Sequence, residues 1–192
     1  PLQKFWAARS YEIRFADSSP SDTTVTQVTA NRDSQGRPAI LLSAFFGLDD
    51  ALPSASGRFI CEGAGGKDGM PIIFSHEIDV STMQAGDFRV TTASGMRGEI
   101  TCVTLAPADD KGEFRTALLV GHYGSIDDQP VKVEIVGNLL SMDNSLNFKG
   151  ASAGVVQLED GPSMVFAEVV PEGEWELDKK ATPLPFGGGN GC

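Results

Sequence analysis

The chain has 192 residues, 41% of them hydrophobic and 21% charged, with 22 glycines and 11 prolines. That length buries roughly 70% of the unfolded surface, enough for one sizeable core or two small ones, and the composition is that of an ordinary globular protein whose chain turns often. A formal net charge of −11 argues against nucleic acid, which demands a basic footprint; it fits solubility, a cationic partner or calcium, and no apolar run is long enough to span a bilayer.

Residues 1–8 are apolar and aromatic, an arm to be tucked against the body. They are not read as a signal peptide, because Lys4, Arg9 and Glu12 interrupt the apolar residues of this end. Residues 11–15 alternate cleanly and predict the first strand, and 16–22 are a turn cluster. Residues 23–29 alternate again through Val25 and Val28 and predict a second strand. A polar loop over 31–38 has Gly36 available for positive φ. The continuous apolar run 39–46 reads as a central buried strand in preference to a short helix. Residues 47–57 are a loop with a helical turn, 58–61 a brief strand, and 63–69 a glycine-rich bend.

The stretch 71–95 organises the rest. Pro71 opens a short apolar strand through Ile72, Ile73 and Phe74, since a strand's first residue needs no N–H partner. Ser75, His76 and Glu77 break the run. Asp79 then stands where it caps a single turn by accepting backbone N–H groups. Phe88, Arg89, Val90 and Thr91 alternate as the next strand, closed by a turn at Ser94 and Gly95. The sequence Phe74-Ser75, then Ile78-Asp79-Val80-Ser81-Thr82, then Asp87-Phe88-Arg89-Val90 resembles the signature of bacterial Ig-like domains of the surface-layer type. The resemblance covers residues 71–95 of a chain longer than such domains usually are. It implies an Ig-like sandwich with a binding or spacer role and no active site.

Further strands are predicted over 99–105, 114–121, 131–136, 152–158 and 163–170, separated by the loops 107–112 and 125–130 and a longer polar loop from 137 to 147. About ten short strands with turn chemistry between them favour a sandwich or barrel. The expected fold is an all-β, Ig-like antiparallel β-sandwich elaborated by the N-terminal strands, a single domain over 1–170. Residues 171–192 become acidic and then rich in proline and glycine, and read as a linker or tail.

Cys61 follows an apolar pair and Cys102 lies in a strand by composition. A disulfide between them closes a loop of about 40 residues and is the favoured reading over two buried thiols. Cys192 is left over after a glycine-rich tether, which points to a partner in sequence beyond this chain. No cysteine spacing suits a zinc site. The residues from Gly150 to Gly154 match the pattern of a nucleophile elbow. However, β-branched Val155 and Val156 follow where a helix is needed, and no histidine comes after Ser152.

His76 and His122 are the only histidines, and with Glu77, Asp79 and Asp127 they would make a metal or acid–base cluster only if their strands paired. Acidic doublets recur at Asp49-Asp50, Asp109-Asp110 and Asp127-Asp128, with Asp143 beside Asn144. Loop carboxylates at one end of a β fold suit a hard cation, so Asp127, Asp128 and Asp143 are the candidate calcium ligands, although turn formation accounts for such residues as well. Trp6, Tyr11, Tyr123 and Trp175 are candidates for a carbohydrate platform, with core packing the stronger expectation. The expected function is a non-catalytic binding or spacer module of a secreted, periplasmic or cell-surface protein, with a protein or carbohydrate partner. A calcium- or carbohydrate-binding module is the alternative, and a hydrolase centred on a histidine ranks last.

Overall fold

The computed structural model describes residues 22–106, 108, 112–161, 163–167 and 169. The expected arm, the strand at 11–15, Trp6, Tyr11, Asp109, Asp110, Trp175, Cys192 and the tail from 171 onward lie outside them. Among the described residues there are seven strands: β1 (Leu41–Phe46), β2 (Asp68–Phe74), β3 (Phe88–Thr92), β4 (Glu99–Thr104), β5 (Thr116–His122), β6 (Pro130–Ile135) and β7 (Ser152–Gln157). The one α-helix among the described residues is the four-residue α1 (Ser56–Phe59).

The strands make one sheet in the order β3-β6-β7-β1-β2-β5-β4. Every neighbouring pair is antiparallel except β1 and β7. The two end strands are consecutive in the chain, and the turn between them brings their near ends together. The Gly98 N–H donates to the Val90 carbonyl at 3.0 Å, and Thr91 bridges Arg97. The sheet therefore curls into a nearly closed barrel, which protects its edges without a second layer. The all-β class holds, and of the two architectures admitted by the strand spacing this continuous sheet corresponds to the barrel.

Period-two side chains fill the interior, as the pleat requires. Met70, Ile72 and Phe74 of β2 meet Ala117 and Leu119 of β5, Phe88 and Val90 of β3, and Val133 and Ile135 of β6, all within one buried cluster. Phe148 packs its edge on Phe74 with ring centroids 5.1 Å apart. Each such side chain contributes about 1.5–3 kcal/mol on burial. A second, smaller cluster lies under the loop that precedes β2, where Leu52 and Ala64 cover Val120, with Cys61, Cys102 and Leu118 against it.

Four expectations are corrected. Residues 58–61 are not a strand: α1 occupies Ser56–Phe59 and the chain turns on through Ile60. An apolar run of three after Arg58 cannot distinguish the two conformations by its period. Residues 23–29 keep their alternation, with Thr24, Thr26 and Val28 half-buried and Val25 exposed, but form no ladder. Side-chain amides replace a partner strand: Asn138 Nδ2 donates to the Thr24 carbonyl and Asn147 Nδ2 to the Val28 carbonyl, each at 3.0 Å. Residues 163–167 and 169 are not in a strand either. Phe166 instead lies over the Arg115 guanidinium, 4.7 Å from its ring centroid. Pro71, expected to open a strand, sits inside one. The β1 ladder ends at Ala44 and Ile72, so Pro71 has no β1 residue opposite it that needs its missing N–H.

Candidate functional site

Acidic groups gather where the loop after β1 returns to β2. Leu48 bridges Gly69, and Leu52 exchanges backbone bonds with Lys67 and Gly66. This places the Asp50 N–H 2.8 Å from Asp68 Oδ1. Asp50 adopts φ 48 there, a left-handed conformation that aspartate tolerates better than most residues. Asp68 starts β2 opposite Gly121 of β5, so its other oxygen reaches past the strand end to accept the Tyr123 N–H at 2.6 Å. The Asp68 residue is 1% exposed.

His122, the last residue of β5, points its Nδ1 at Asp50 Oδ1, 3.5 Å away, and both side chains are more than half exposed. One donor atom each from Asp50, Asp68 and His122 lies within 4.8 Å of the others. Among the described residues no lysine or arginine pairs with Asp49, Asp50 or Asp68. Burial and the neighbouring Asp68 and Asp50 carboxylates push the Asp49 carboxyl above its ordinary value. Two carboxylates and an imidazole form a mixed oxygen and nitrogen donor set. Such a set suits a divalent first-row ion better than calcium, which prefers more ligands and all of them oxygen.

The second histidine belongs to a separate chain of contacts. Ser75 Oγ lies 2.9 Å from His76 Nδ1, and His76 Nε2 lies 3.4 Å from Asp33 Oδ2. The order serine–histidine–aspartate invites comparison with a nucleophile and its base. The hydroxyl is already committed, however, accepting the Ile40 N–H and donating to the Pro38 carbonyl, each at 3.0 Å. Asp33 in turn accepts the Arg37 guanidinium at 2.6 Å and the N–H groups of Gln35 and Arg37. Burial raises its carboxyl, but these bonds and the His76 contact outweigh it and hold Asp33 well below the usual carboxylate range. The arrangement ties the turn at 33–37 to the end of β2. Two surface depressions, of about 240 and 200 Å³, share Ile73 and are lined by neither histidine.

The other sequence candidates are placed as follows. Asp127 is exposed in the turn before β6. Asp128 accepts the Ser94 N–H at 2.8 Å and its hydroxyl at 2.7 Å, which lowers its pKa and pins the β3–β4 turn. Asp143 accepts the Ser141 hydroxyl at 2.6 Å and the Ser145 hydroxyl at 2.8 Å, and is likewise lowered. The group of donors within ligating distance does not include these three. Asp79 caps the turn Val80–Thr82 by accepting the Ser81 N–H, as its position in the sequence implies. His76 and His122 are not brought together, and neither pairs with Glu77, Asp79 or Asp127. Ser152 begins β7, exposed, so strand follows it directly where an elbow needs a helix. Tyr123 is fully buried in the core and presents no platform. Cys61 and Cys102 are joined, with Cα atoms 6.7 Å apart.

Asp68 and Asp33 were not singled out from the sequence. The signal available was an aspartate at the start of a strand and an Asp-x-x-Gly turn, both of which are common. No family model matches the chain, and neither a curated protein nor a solved structure is significantly similar to it.

Proposed function

We propose that the chain is a non-catalytic binding or spacer module that works outside the reducing cytoplasm. The observation that carries this reading is how its polar centres are used. Ser75, His76 and Asp33, which come nearest to a catalytic arrangement, are consumed in fastening one turn to β2. Two further features support it: the Cys61–Cys102 bridge, of a kind that persists in oxidising compartments, and the likeness of residues 71–95 to surface-layer Ig-like domains. Among the described residues no helix is long and apolar enough to cross a membrane.

A panel of ester, peptide and glycoside substrates tests the catalytic half. Turnover that Ser75→Ala or His76→Ala abolishes would overturn the reading. Thiol labelling of the protein taken from its own cells without reductant tests the compartment; labelled Cys61 and Cys102 would argue against it.

A second reading, divalent cation binding, is favoured by Asp50, Asp68 and His122 with their unneutralised charge. Titration with manganese, zinc and calcium should raise the melting temperature of the native chain, and His122→Ala should abolish the rise. A rise that survives His122→Ala but not Asp143→Asn would move the site to the Asp127, Asp128 and Asp143 loops. No response to any ion would end this reading.

A further inference from the structure

A second pair of carboxyl groups, Asp22 and Asp87, involves neither histidine. Asp87 closes the 3₁₀ turn Ala85–Asp87 ahead of β3 and is 0% exposed. One of its oxygens accepts the Gln84 N–H at 2.7 Å, and its backbone carbonyl accepts the Val136 N–H. The other oxygen, Oδ1, meets no hydrogen-bond donor among the described residues. It faces Gly137, where an added Cβ would collide with Oδ1 and come within 2.9 Å of the Asp22 Cβ. The Asp22 and Asp87 side chains therefore meet over a glycine that leaves room for both.

The Asp22 carboxyl is otherwise well satisfied. Its oxygens accept the Thr24 N–H at 2.8 Å and, from Asn138, the backbone N–H at 2.9 Å and the side-chain amide at 3.3 Å. A buried acceptor oxygen pointed at another carboxylate is satisfied when one proton lies between them, as in paired carboxylic acids elsewhere.

We propose that Asp22 and Asp87 share one proton as a latch that fastens residues 22–30 to the barrel, and that loss of this proton releases the segment. The fastening is otherwise made of exchangeable polar contacts: Gln84 with Thr23 and Thr24, Asn138 with Thr24, and Asn147 with Val28 and Ala30. No ladder supports residues 22–30, so repulsion between two anions at their start acts on a weakly held element.

The charges around Asp87 do not compensate a second anion. Asp22 is the only charged residue of 22–30. Among the described residues, Lys149, in the turn before β7, is the one positive group whose charge reaches Asp87. β4, packed on the same 3₁₀ turn, carries only Glu99, at its exposed start opposite His122. In β6, Lys132 pairs with Glu134. Burial, the strongest influence, and Asp22 raise Asp87 to about 7, although the Gln84 N–H and Lys149 act the other way. The transition thus falls where environments differ from one another in ordinary physiology.

The test uses the whole chain and reads amide hydrogen exchange at Asn138 and Asn147, whose N–H groups bond Asp22 Oδ2 and the Ala30 carbonyl. Protection factors, corrected for intrinsic exchange, should fall at least tenfold between pH 5.5 and 8.5, while those of β2 and β5 fall only as far as overall stability does. Asp87→Asn puts a permanent donor against Asp22 and should keep both amides protected across the range. Carboxyl carbon NMR of the unaltered protein supplies a measure that needs no variant: Asp87 should titrate near neutrality, and Asp22→Asn should lower its midpoint. Protection that is flat with pH, or that falls equally in Asp87→Asn, or an Asp87 carboxyl already ionised at pH 5, would overturn the proposal.

Discussion

The Asp68 carboxylate accepts the Tyr123 backbone N–H at 2.6 Å across 55 positions of sequence, and its second oxygen takes the Asp50 N–H. One buried side chain thus holds the exit of β5 and the loop before β2 in fixed relation. Asp68→Asn leaves one N–H facing an amide NH₂ in place of an oxygen. The expected loss is about 1–3 kcal/mol, the usual result of stranding a buried donor. A lower urea midpoint with an unchanged m-value would register it, whereas full stability would show that the loop holds without this acceptor.

Tyr123 offers a contrast at the same place. Its ring is wholly buried, and its hydroxyl has no hydrogen-bond partner among the described residues. Burial, helped by Asp68, pushes the phenol far above its ordinary value, so it stays neutral. Tyr123→Phe removes a desolvated polar atom and keeps the packing, and stability should stay level or rise by about 1 kcal/mol. Tyr123→Ala should lose about 3–5 kcal/mol through the cavity it leaves. If the phenylalanine variant melted well below the parent, the hydroxyl would have to be held by a contact not described above.

These two residues also show why the fold could be read from the sequence more fully than its polar centres. The strands announced themselves because period-two alternation is local: Phe88 and Val90, or Val133 and Ile135, need no knowledge of the partner strand. Asp50, Asp68 and His122 stand 18 and 54 positions apart in turn, and only the β2–β5 register superimposes them. Ser75 and His76 were visible, but Asp33 reaches them only because its turn folds back on β2. The misread strands fail for physical reasons too. Residues 23–29 carry a strand pattern whose hydrogen bonds go to Asn138 and Asn147 side chains. Around Cys61, covering Val120 needed a helical turn that three apolar residues do not specify.

The Cys61–Cys102 bridge spans 41 positions and fastens the loop over the Leu52, Ala64 and Val120 cluster to β4. In the chain-entropy model a loop of that length stabilises the folded state by about 4 kcal/mol. Reduction, or Cys61→Ser with Cys102→Ser, should lower the unfolding free energy by roughly 2–4 kcal/mol and expose the loop to protease before the barrel. A midpoint that did not move on reduction would mean that the small cluster holds the loop without the bridge.

The ionisable groups set opposing slopes of stability against pH. Asp33, Asp128 and Asp143 are held below their unfolded values by hydrogen bonds. What they contribute is present above the ordinary carboxylate range and lost as pH falls through their lowered values. Asp87 acts in the other direction. Its unfolded value is 3.8 and its folded value about 7, so the folded chain holds one more proton between those limits. Stability from this group is full below the unfolded value and is lost as pH rises through the folded one. At about 1.4 kcal/mol per pH unit, the fall amounts to roughly 4 kcal/mol. Stability should therefore be greatest in mild acid, at roughly pH 4–5, and decline toward neutrality. Urea midpoints measured from acid to mild alkali would trace both limbs. Asp87→Asn should flatten the limb above pH 5 and leave the acid limb unchanged, since Asp33, Asp128 and Asp143 keep their partners. Stability that climbed steadily from acid to neutral pH would show that Asp87 is ionised in the folded chain.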